Sequence, residues 1–111
     1  MTEHSGVTRV EALGAELLDQ ARAHHSHRAA RTLVTGTSLR ATLIALTEGA
    51  ELAEHDAPPA ATLHVLSGQV RLHTHAHAQV LDGGDLCAIP RTRHSLTALA
   101  DSTVLLTVAL R

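Results

Sequence analysis

Beyond residue 28, closely spaced turn residues divide the sequence into short apolar runs, and this pattern limits the fold more than any other feature. Glycine, proline, aspartate and serine occupy the breaks, and the runs are rich in Leu, Val and Thr. Short strands separated by such turns are typical of a β-sandwich or a β-barrel. The sequence therefore predicts an all-β domain over residues 29–111. The predicted strands are Arg31–Val34, Leu39–Leu46, Thr62–Leu66, Val70–Leu72, Val80–Leu81, Leu86–Ile89 and Val104–Leu110.

The first 28 residues have the spacing of a helix instead. Val10, Leu13 and Leu17 recur at intervals of three and four residues, which places them on one helical face. Thr8 and Glu11 have the spacing of a capping box, in which each side chain bonds to the backbone of the other residue. We therefore predict a helix from about residue 9 to about residue 24, within an N-terminal helical segment of residues 1–28.

The composition excludes several classes of partner. The chain has no Phe, Tyr or Trp, so it cannot stack nucleic-acid bases on aromatic side chains. Its formal charge of −2 provides no basic surface for nucleic acid or for an anionic membrane. It has neither the pattern of a secretory signal nor 18 consecutive apolar residues. We expect a cytoplasmic protein that binds neither nucleic acid nor membrane.

Two stretches of the β region contain motifs. The first, residues 49–68, has a glycine, five residues, His55 and later a strand that ends in Val-Leu-Ser-Gly. The second, residues 84–94, has Gly-Asp, an apolar strand, a proline and His94. In this order the stretches resemble the two motifs of the cupin superfamily, and the chain is similar to small single-domain bacterial cupins. The resemblance implies a cupin-like β-barrel or jelly roll of the RmlC-like type, preceded by the α-helix.

The resemblance extends to part of a metal site. Metal-binding cupins carry two histidines separated by one residue, a glutamate further on, and a histidine from the second motif. In this chain His55 and His94 match two of these positions, whereas Ala57 and Ala61 occupy the other two. The resemblance therefore implies a degenerate metal motif. Either His55 and His94 hold one divalent transition metal ion (Zn, Ni, Mn or Fe), or the protein has no cofactor.

Strand alternation adds one residue to the predicted pocket and removes another. Glu51 has the same parity as His55, so in a regular strand it points into the same cavity. His64 alternates with the two core residues of its strand, so it faces the other way. We predict that His55, His94 and Glu51 line a ligand-binding pocket in which both imidazoles are partly exposed to solvent.

Three of the ten histidines alternate at a predicted hairpin. His73, His75 and His77 share one parity and lie between the strands Val70–Leu72 and Val80–Leu81. Three neighbouring imidazoles on one face can bind Ni, Zn or Cu adventitiously. An exposed hairpin whose imidazoles contact only water explains the same pattern.

These features leave three functions open. The first is a small-molecule-binding cupin with a histidine-lined pocket, without an essential metal. The second is a metal-dependent cupin enzyme of the isomerase or dioxygenase type, for which the sequence identifies no catalytic residue. The third is a metal-handling protein that uses the surplus histidines. The sequence does not identify the ligand or the reaction, because fold alone does not imply either.

Two predicted strands are apolar on both faces, which predicts a homodimer. Leu39–Leu46 and Val104–Leu110 present more apolar surface than one helix can cover on a single small barrel. Small cupins that resemble this chain commonly pair through their sheets, and two-fold dimers are the most common oligomers. We expect two copies of the chain to associate through the outer face of these strands.

Overall fold

The computed structural model describes residues 6–55, 60–74, 77–89 and 92–110. Within these ranges the chain forms one helix followed by nine strands. The predicted all-β fold with an N-terminal helix is therefore confirmed. The elements are α1 (Val10–Ala23), β1 (Arg28–Thr35), β2 (Leu39–Leu46), β3 (Glu51–His55), β4 (Ala60–Ser67), β5 (Gln69–Thr74), β6 (Ala78–Asp82), β7 (Leu86–Ala88), β8 (His94–Ala98) and β9 (Ser102–Ala109).

The strands form two sheets that pack face to face as a jelly roll. The larger sheet has the order β1-β2-β9-β4-β7, and the smaller sheet has the order β3-β8-β5-β6. All the described pairings are antiparallel. Neither order follows the chain, because β9 lies between β2 and β4, and β8 lies between β3 and β5. Most successive strands after β2 therefore lie in opposite sheets, and the two sheets enclose the core from both sides.

The core between the sheets is aliphatic. Alternate residues from strands of both sheets form one buried cluster. Because the chain has no Phe, Tyr or Trp, branched aliphatic side chains fill this space. Full burial of each such side chain contributes about 2 kcal/mol relative to exposure, so this cluster is a main source of stability. Its members include Ile44, Leu46, Leu63, Val65, Val70, Leu72, Leu96 and Val104.

Helix α1 covers part of the outer face of the larger sheet. Leu17 and Ala21 of the helix pack against Leu43 and Ala45 of β2 in a second buried cluster. The next residue of the same strand, Ile44, belongs to the core between the sheets. Residues 43–46 of β2 are therefore buried on both faces, which explains why this part of the strand is continuously apolar. Among the described residues, no helix is long and apolar enough to cross a membrane.

The start of α1 differs from the prediction. Its N-cap is Arg9, which makes no side-chain cap hydrogen bond, so the predicted capping box of Thr8 and Glu11 is wrong. The Leu13 amide donates to the Arg9 carbonyl oxygen at 3.1 Å. The helix begins one residue later than the capping box requires, because its position is determined by the packing of buried residues such as Leu17.

Asp101, in the turn between β8 and β9, connects the end of α1 to the turn after β2. One oxygen of its carboxylate accepts a hydrogen bond from the Glu48 amide at 2.9 Å. The other accepts from Arg22, with an Nη2–Oδ2 distance of 3.1 Å. The Glu48 hydrogen bond lowers the pKa of the Asp101 carboxyl, desolvation opposes it, and the Arg22 guanidinium lowers the pKa further.

Candidate functional site

A narrow cavity lies between the two sheets. Its volume is about 30 Å³, which is enough for about two water molecules. The described side chains around it are aliphatic with one exception, His94. We call this space the aliphatic cavity. It is lined by Ile44, Leu52, Leu63, Leu72, Ile89, His94, Leu96 and Leu106.

His94 is held in one orientation at the wall of the aliphatic cavity. It is the first residue of β8 and faces the same side as the buried Leu96. Its Nδ1 atom lies 3.0 Å from the Thr92 carbonyl oxygen. Because a carbonyl oxygen only accepts, Nδ1 is the nitrogen that donates in this contact. This contact fixes the orientation of the imidazole.

The burial of His94 differs from the prediction. The residue is only 6% exposed, whereas we expected an imidazole partly exposed to solvent. Its parity with Leu96 on a regular strand explains the difference, because that parity directs both side chains into the core. His64 alternates with the core residues of β4, so the sequence predicts that it faces away from the core. In the structure it pairs with Leu105 on the outer face, as predicted.

An open cleft adjoins the aliphatic cavity and shares Leu72 with it. The volume of this cleft is about 340 Å³, which lies within the range of small-molecule sites, about 300–1,000 Å³. Thr74 lies directly opposite His94 in the pairing of β5 with β8, so the two spaces meet near these residues. We call this space the mouth cleft. Its described lining is Leu72, Thr74, His77, Ala78 and Gln79.

Sequence reasoning did not identify Thr74 and Gln79 as candidate site residues. Thr74 lies two positions after the buried Leu72, and Gln79 is the cross-strand partner of Leu72. Alternate residues of a strand and directly opposed residues of neighbouring strands share a face of the sheet. Their common parity with Leu72 is the sequence signal that places both residues at the site.

The predicted residues of β3 do not behave as residues of a regular strand. His55 pairs with His94, so the backbone brings these two positions together; the His55 side chain lies outside the described part of the structure. Leu52 pairs with Leu96 and lines the aliphatic cavity. A register shift between Leu52 and His55 then breaks the regular alternation of inward-facing and outward-facing positions along β3. Glu51 is consequently exposed and is not among the described residues that line the cavity.

The histidines of the β5–β6 hairpin do not form a described metal site. His73 is partly buried opposite Ala78, on the face away from the aliphatic cavity. His77 is exposed, and its carbonyl oxygen accepts a hydrogen bond from the Thr74 amide at 2.8 Å. His75 lies outside the described residues. Within the described ranges, no group of three His, Cys, Asp or Glu side chains is placed to hold a metal ion.

Comparison of the sequence with protein-family models and with curated proteins gives no match. Solved structures, in contrast, share the fold. A conserved protein of unknown function from Streptococcus pyogenes has a TM-score of 0.76 and 23% identity, with 99% of this chain and 91% of that chain covered.

Two further solved structures have the same architecture. A cupin superfamily protein from Desulfitobacterium hafniense has a TM-score of 0.72 and 13% identity, with 76% of this chain and 78% of that chain covered. A salicylate 1,2-dioxygenase from Pseudaminobacter salicylatoxidans has a TM-score of 0.72 and 17% identity, with 86% of this chain and 32% of that chain covered. With its two antiparallel sheets and these structural neighbours, the chain has the jelly-roll fold of a small cupin domain.

Proposed function

We propose that the protein binds a small, uncharged and largely apolar molecule where the aliphatic cavity meets the mouth cleft. The observation that supports this most is His94, a buried polar side chain at the wall of an otherwise aliphatic space. Small-molecule sites combine apolar walls with a few polar groups that fix the orientation of the ligand. The described lining of both spaces contains no Asp, Glu, Lys or Arg, which favours an uncharged ligand.

The sizes of the two spaces suggest how such a molecule is divided between them. The mouth cleft, about 340 Å³, has room for the body of the ligand. The aliphatic cavity, about 30 Å³, admits only a small group unless its walls move. Because protein cores are close-packed, that movement costs free energy. We propose that the body occupies the mouth cleft and that one small group reaches His94.

Two probes of similar shape test the preference for an uncharged ligand. We expect cyclohexanol to raise the melting temperature and cyclohexanecarboxylate at the same concentration to have no effect. At ten times its dissociation constant, a ligand stabilises the folded state by about 1.4 kcal/mol, which corresponds to several degrees. An equal effect of the carboxylate, or no effect of either probe, contradicts the proposal.

A metal-dependent enzyme is the second candidate, and the pairing of His55 with His94 is the observation in its favour. One solved structure of the same fold is a dioxygenase, but its 17% identity concerns the fold alone. Catalytic zinc sites have three protein ligands. The described residues supply His94 and, by register, the position of His55, but no third ligand. This donor set does not fit a tightly held ion.

Metal content after purification without a histidine tag distinguishes the candidates. We expect the parent protein to contain well under one equivalent of transition metal. One equivalent that is lost in His55→Ala/His94→Ala supports the metal-dependent enzyme and contradicts the proposal. Metal that is lost only in His73→Ala/His75→Ala/His77→Ala supports adventitious binding or metal handling at the hairpin.

A further inference from the structure

We infer that the ligand carries an uncharged amide group, which binds between Gln79 and Thr74 in the mouth cleft; this inference rests on the proposed binding function. The described lining of the cleft has three polar side chains, those of Gln79, Thr74 and His77. A neutral imidazole has one donor and one acceptor, so His77 favours neither kind of ligand group. The preference of the cleft therefore depends on the atoms that Gln79 and Thr74 leave to a ligand.

Gln79 presents a hydrogen-bond donor. Its Oε1 atom lies on the side of the Cys87 thiol, with an Sγ–Oε1 distance of 3.9 Å. Because the same thiol lies closer to the Ala88 carbonyl oxygen, at 3.2 Å, this contact orients the Gln79 amide but binds it only weakly. The Nε2 atom, on the opposite arm of the amide, has no hydrogen-bond partner among the described residues. An amide nitrogen only donates, so the ligand atom that binds it must be an acceptor such as a carbonyl oxygen.

Thr74 presents a hydrogen-bond acceptor. Its hydroxyl donates its one proton to the His77 carbonyl oxygen at 3.3 Å. The Thr74 backbone amide donates to the same oxygen at 2.8 Å, which holds the end of β5 in place. The hydroxyl oxygen keeps lone pairs for a further bond. A ligand atom that binds this oxygen must therefore donate a proton.

The spacing of the two residues suits an amide. Gln79 lies directly opposite Leu72, and Thr74 lies two residues beyond Leu72 on the same face. Diagonal positions of this kind are about 7–8 Å apart. An amide group, whose oxygen and nitrogen are about 2 Å apart, spans this gap with a hydrogen bond of about 2.9 Å at each end. A ketone or a tertiary amide satisfies Gln79 but brings no proton to Thr74, so the cleft should select a secondary amide over both.

The sequence provides a direct reporter of binding at this place. The chain has three glutamines, Gln20, Gln69 and Gln79, and no asparagine, so a ¹H–¹⁵N NMR spectrum shows three side-chain amide groups. Gln20 is exposed on α1. Gln69 donates to Asp82 at 2.8 Å, at the end of the β5–β6 hairpin away from the cleft. Of the three signals, only that of Gln79 should move when a ligand enters the cleft, and its absence in Gln79→Met assigns it.

The test titrates caprolactam, N-methylcaprolactam and cycloheptanone at about pH 7.5, where an ordinary imidazole is mostly neutral. All three carry a carbonyl oxygen and should shift the Gln79 signal. Caprolactam, which alone has an N–H group, should bind roughly three- to tenfold more tightly than the other two. Equal or weaker binding of caprolactam, or binding that leaves the Gln79 signal unchanged, overturns the amide inference and leaves the proposed binding function intact.

Cyclohexanol separates the two failures. If it binds and none of the three carbonyl probes does, the amide inference is wrong and the binding function stands. If none of the four compounds binds, the binding function fails together with the inference.

Two variants assign the preference, with affinities measured from the backbone amide signals. In Thr74→Val, which removes the acceptor, the affinity for caprolactam should fall to that for N-methylcaprolactam. Gln79→Met removes the donor and should weaken all three probes. Thr62→Val is the matched control, because Thr62 is exposed on the outer side of the larger sheet, and it should keep the preference of the parent. A preference that survives in a folded Thr74→Val overturns the role of Thr74. If that variant does not fold, the comparison of caprolactam with N-methylcaprolactam in the parent still decides the inference.

Discussion

At the scale of single residues, Asp101 holds together three segments that are distant in the sequence. Its two carboxylate oxygens bind the Glu48 amide and the Arg22 guanidinium. Asp101→Asn keeps an acceptor for the amide but removes the charge. The side chains of Arg22 and Asp101 are 50% and 40% exposed, and ion pairs of this kind contribute about 1 kcal/mol or less. We expect the melting temperature to fall by a few degrees in a thermal melt.

The pH dependence of Asp101→Asn is a second prediction. Because the pKa of Asp101 is lowered in the folded chain, its contribution to stability is complete above the unfolded value, about 3.9. The contribution is lost as the pH falls through the lower folded value. The difference in melting temperature between parent and variant should stay constant from about pH 7 to about pH 5 and shrink below about pH 4.

The control for both predictions is Asp19→Asn. Asp19 also binds Arg22, at 2.7 Å, but its side chain is 80% exposed on the surface of α1. This substitution should leave the melting temperature nearly unchanged at every pH. A parent–variant difference for Asp101→Asn that grows on acidification contradicts the direction assigned to its pKa.

Strand parity in the sequence identifies site residues only where a strand is regular. His94 and Leu96 alternate regularly on β8, so both lie on one face. Glu51 and His55 are separated by a register shift, so the same rule fails in β3. A bulge depends on how two strands meet, and the sequence of one segment does not contain that information.

At the scale of secondary-structure elements, the turn between β4 and β5 requires glycine. Gly68 has a φ of +88°, and a Cβ atom there would overlap the Ser102 side chain and the Asp101 carbonyl oxygen. Gly84 has a φ of +97°, but a Cβ atom at that position would have no described atom within 4 Å beyond its chain neighbours. Gly84→Ala should therefore cost only the backbone strain, about 1 to 2 kcal/mol.

Gly68→Ala should cost at least about 2 kcal/mol more than Gly84→Ala, because steric overlap with the β8–β9 turn adds to the strain. Urea denaturation of both variants measures the difference directly. Equal losses in the free energy of unfolding of the two variants would show that the turn moves freely away from Ser102. Such a result is unexpected, since the Ser102 hydroxyl oxygen accepts from the Gln69 amide at 3.0 Å.

The elements themselves were predictable to different degrees. The predicted run Leu39–Leu46 has the same bounds as β2, and burial on both faces explains why residues 43–46 are continuously apolar. Strands β3 and β8 are absent from the predicted apolar runs, since polar residues such as Glu51 and His94 interrupt their apolar ones. The Val-Leu-Ser-Gly and Gly-Asp motifs indicated the fold through their resemblance to cupin motifs, and the glycines of both motifs occupy turns with positive φ.

At the scale of the whole molecule, the predicted homodimer is consistent with apolar side chains that α1 leaves uncovered. Leu39 and Val34 are 46% and 45% exposed beside the helix-covered part of the larger sheet. Leu86 is 68% exposed at the far edge of the same sheet. Large apolar side chains that remain exposed on one sheet are suited to a protein–protein contact.

Light scattering at micromolar concentration tests the homodimer. We expect twice the chain mass of 11.7 kDa for the parent and a monomer for Leu39→Glu. Val80→Glu is the control: Val80 is equally exposed, at 48%, but lies on β6 of the smaller sheet, and this variant should stay dimeric. A monomeric parent contradicts the expectation.

The position of β9 has a consequence for how the protein is made. β9 is the last strand of the described chain, yet it joins β2 to β4 in the middle of the larger sheet. While the ribosome is still synthesising residues 102–109, neither of those strands has its partner on that side. Aliphatic side chains that are buried in the complete fold then remain exposed and accessible to chaperones and proteases. The larger sheet can therefore close only after β9 has been synthesised, and loss of β9 should prevent folding rather than shorten the sheet.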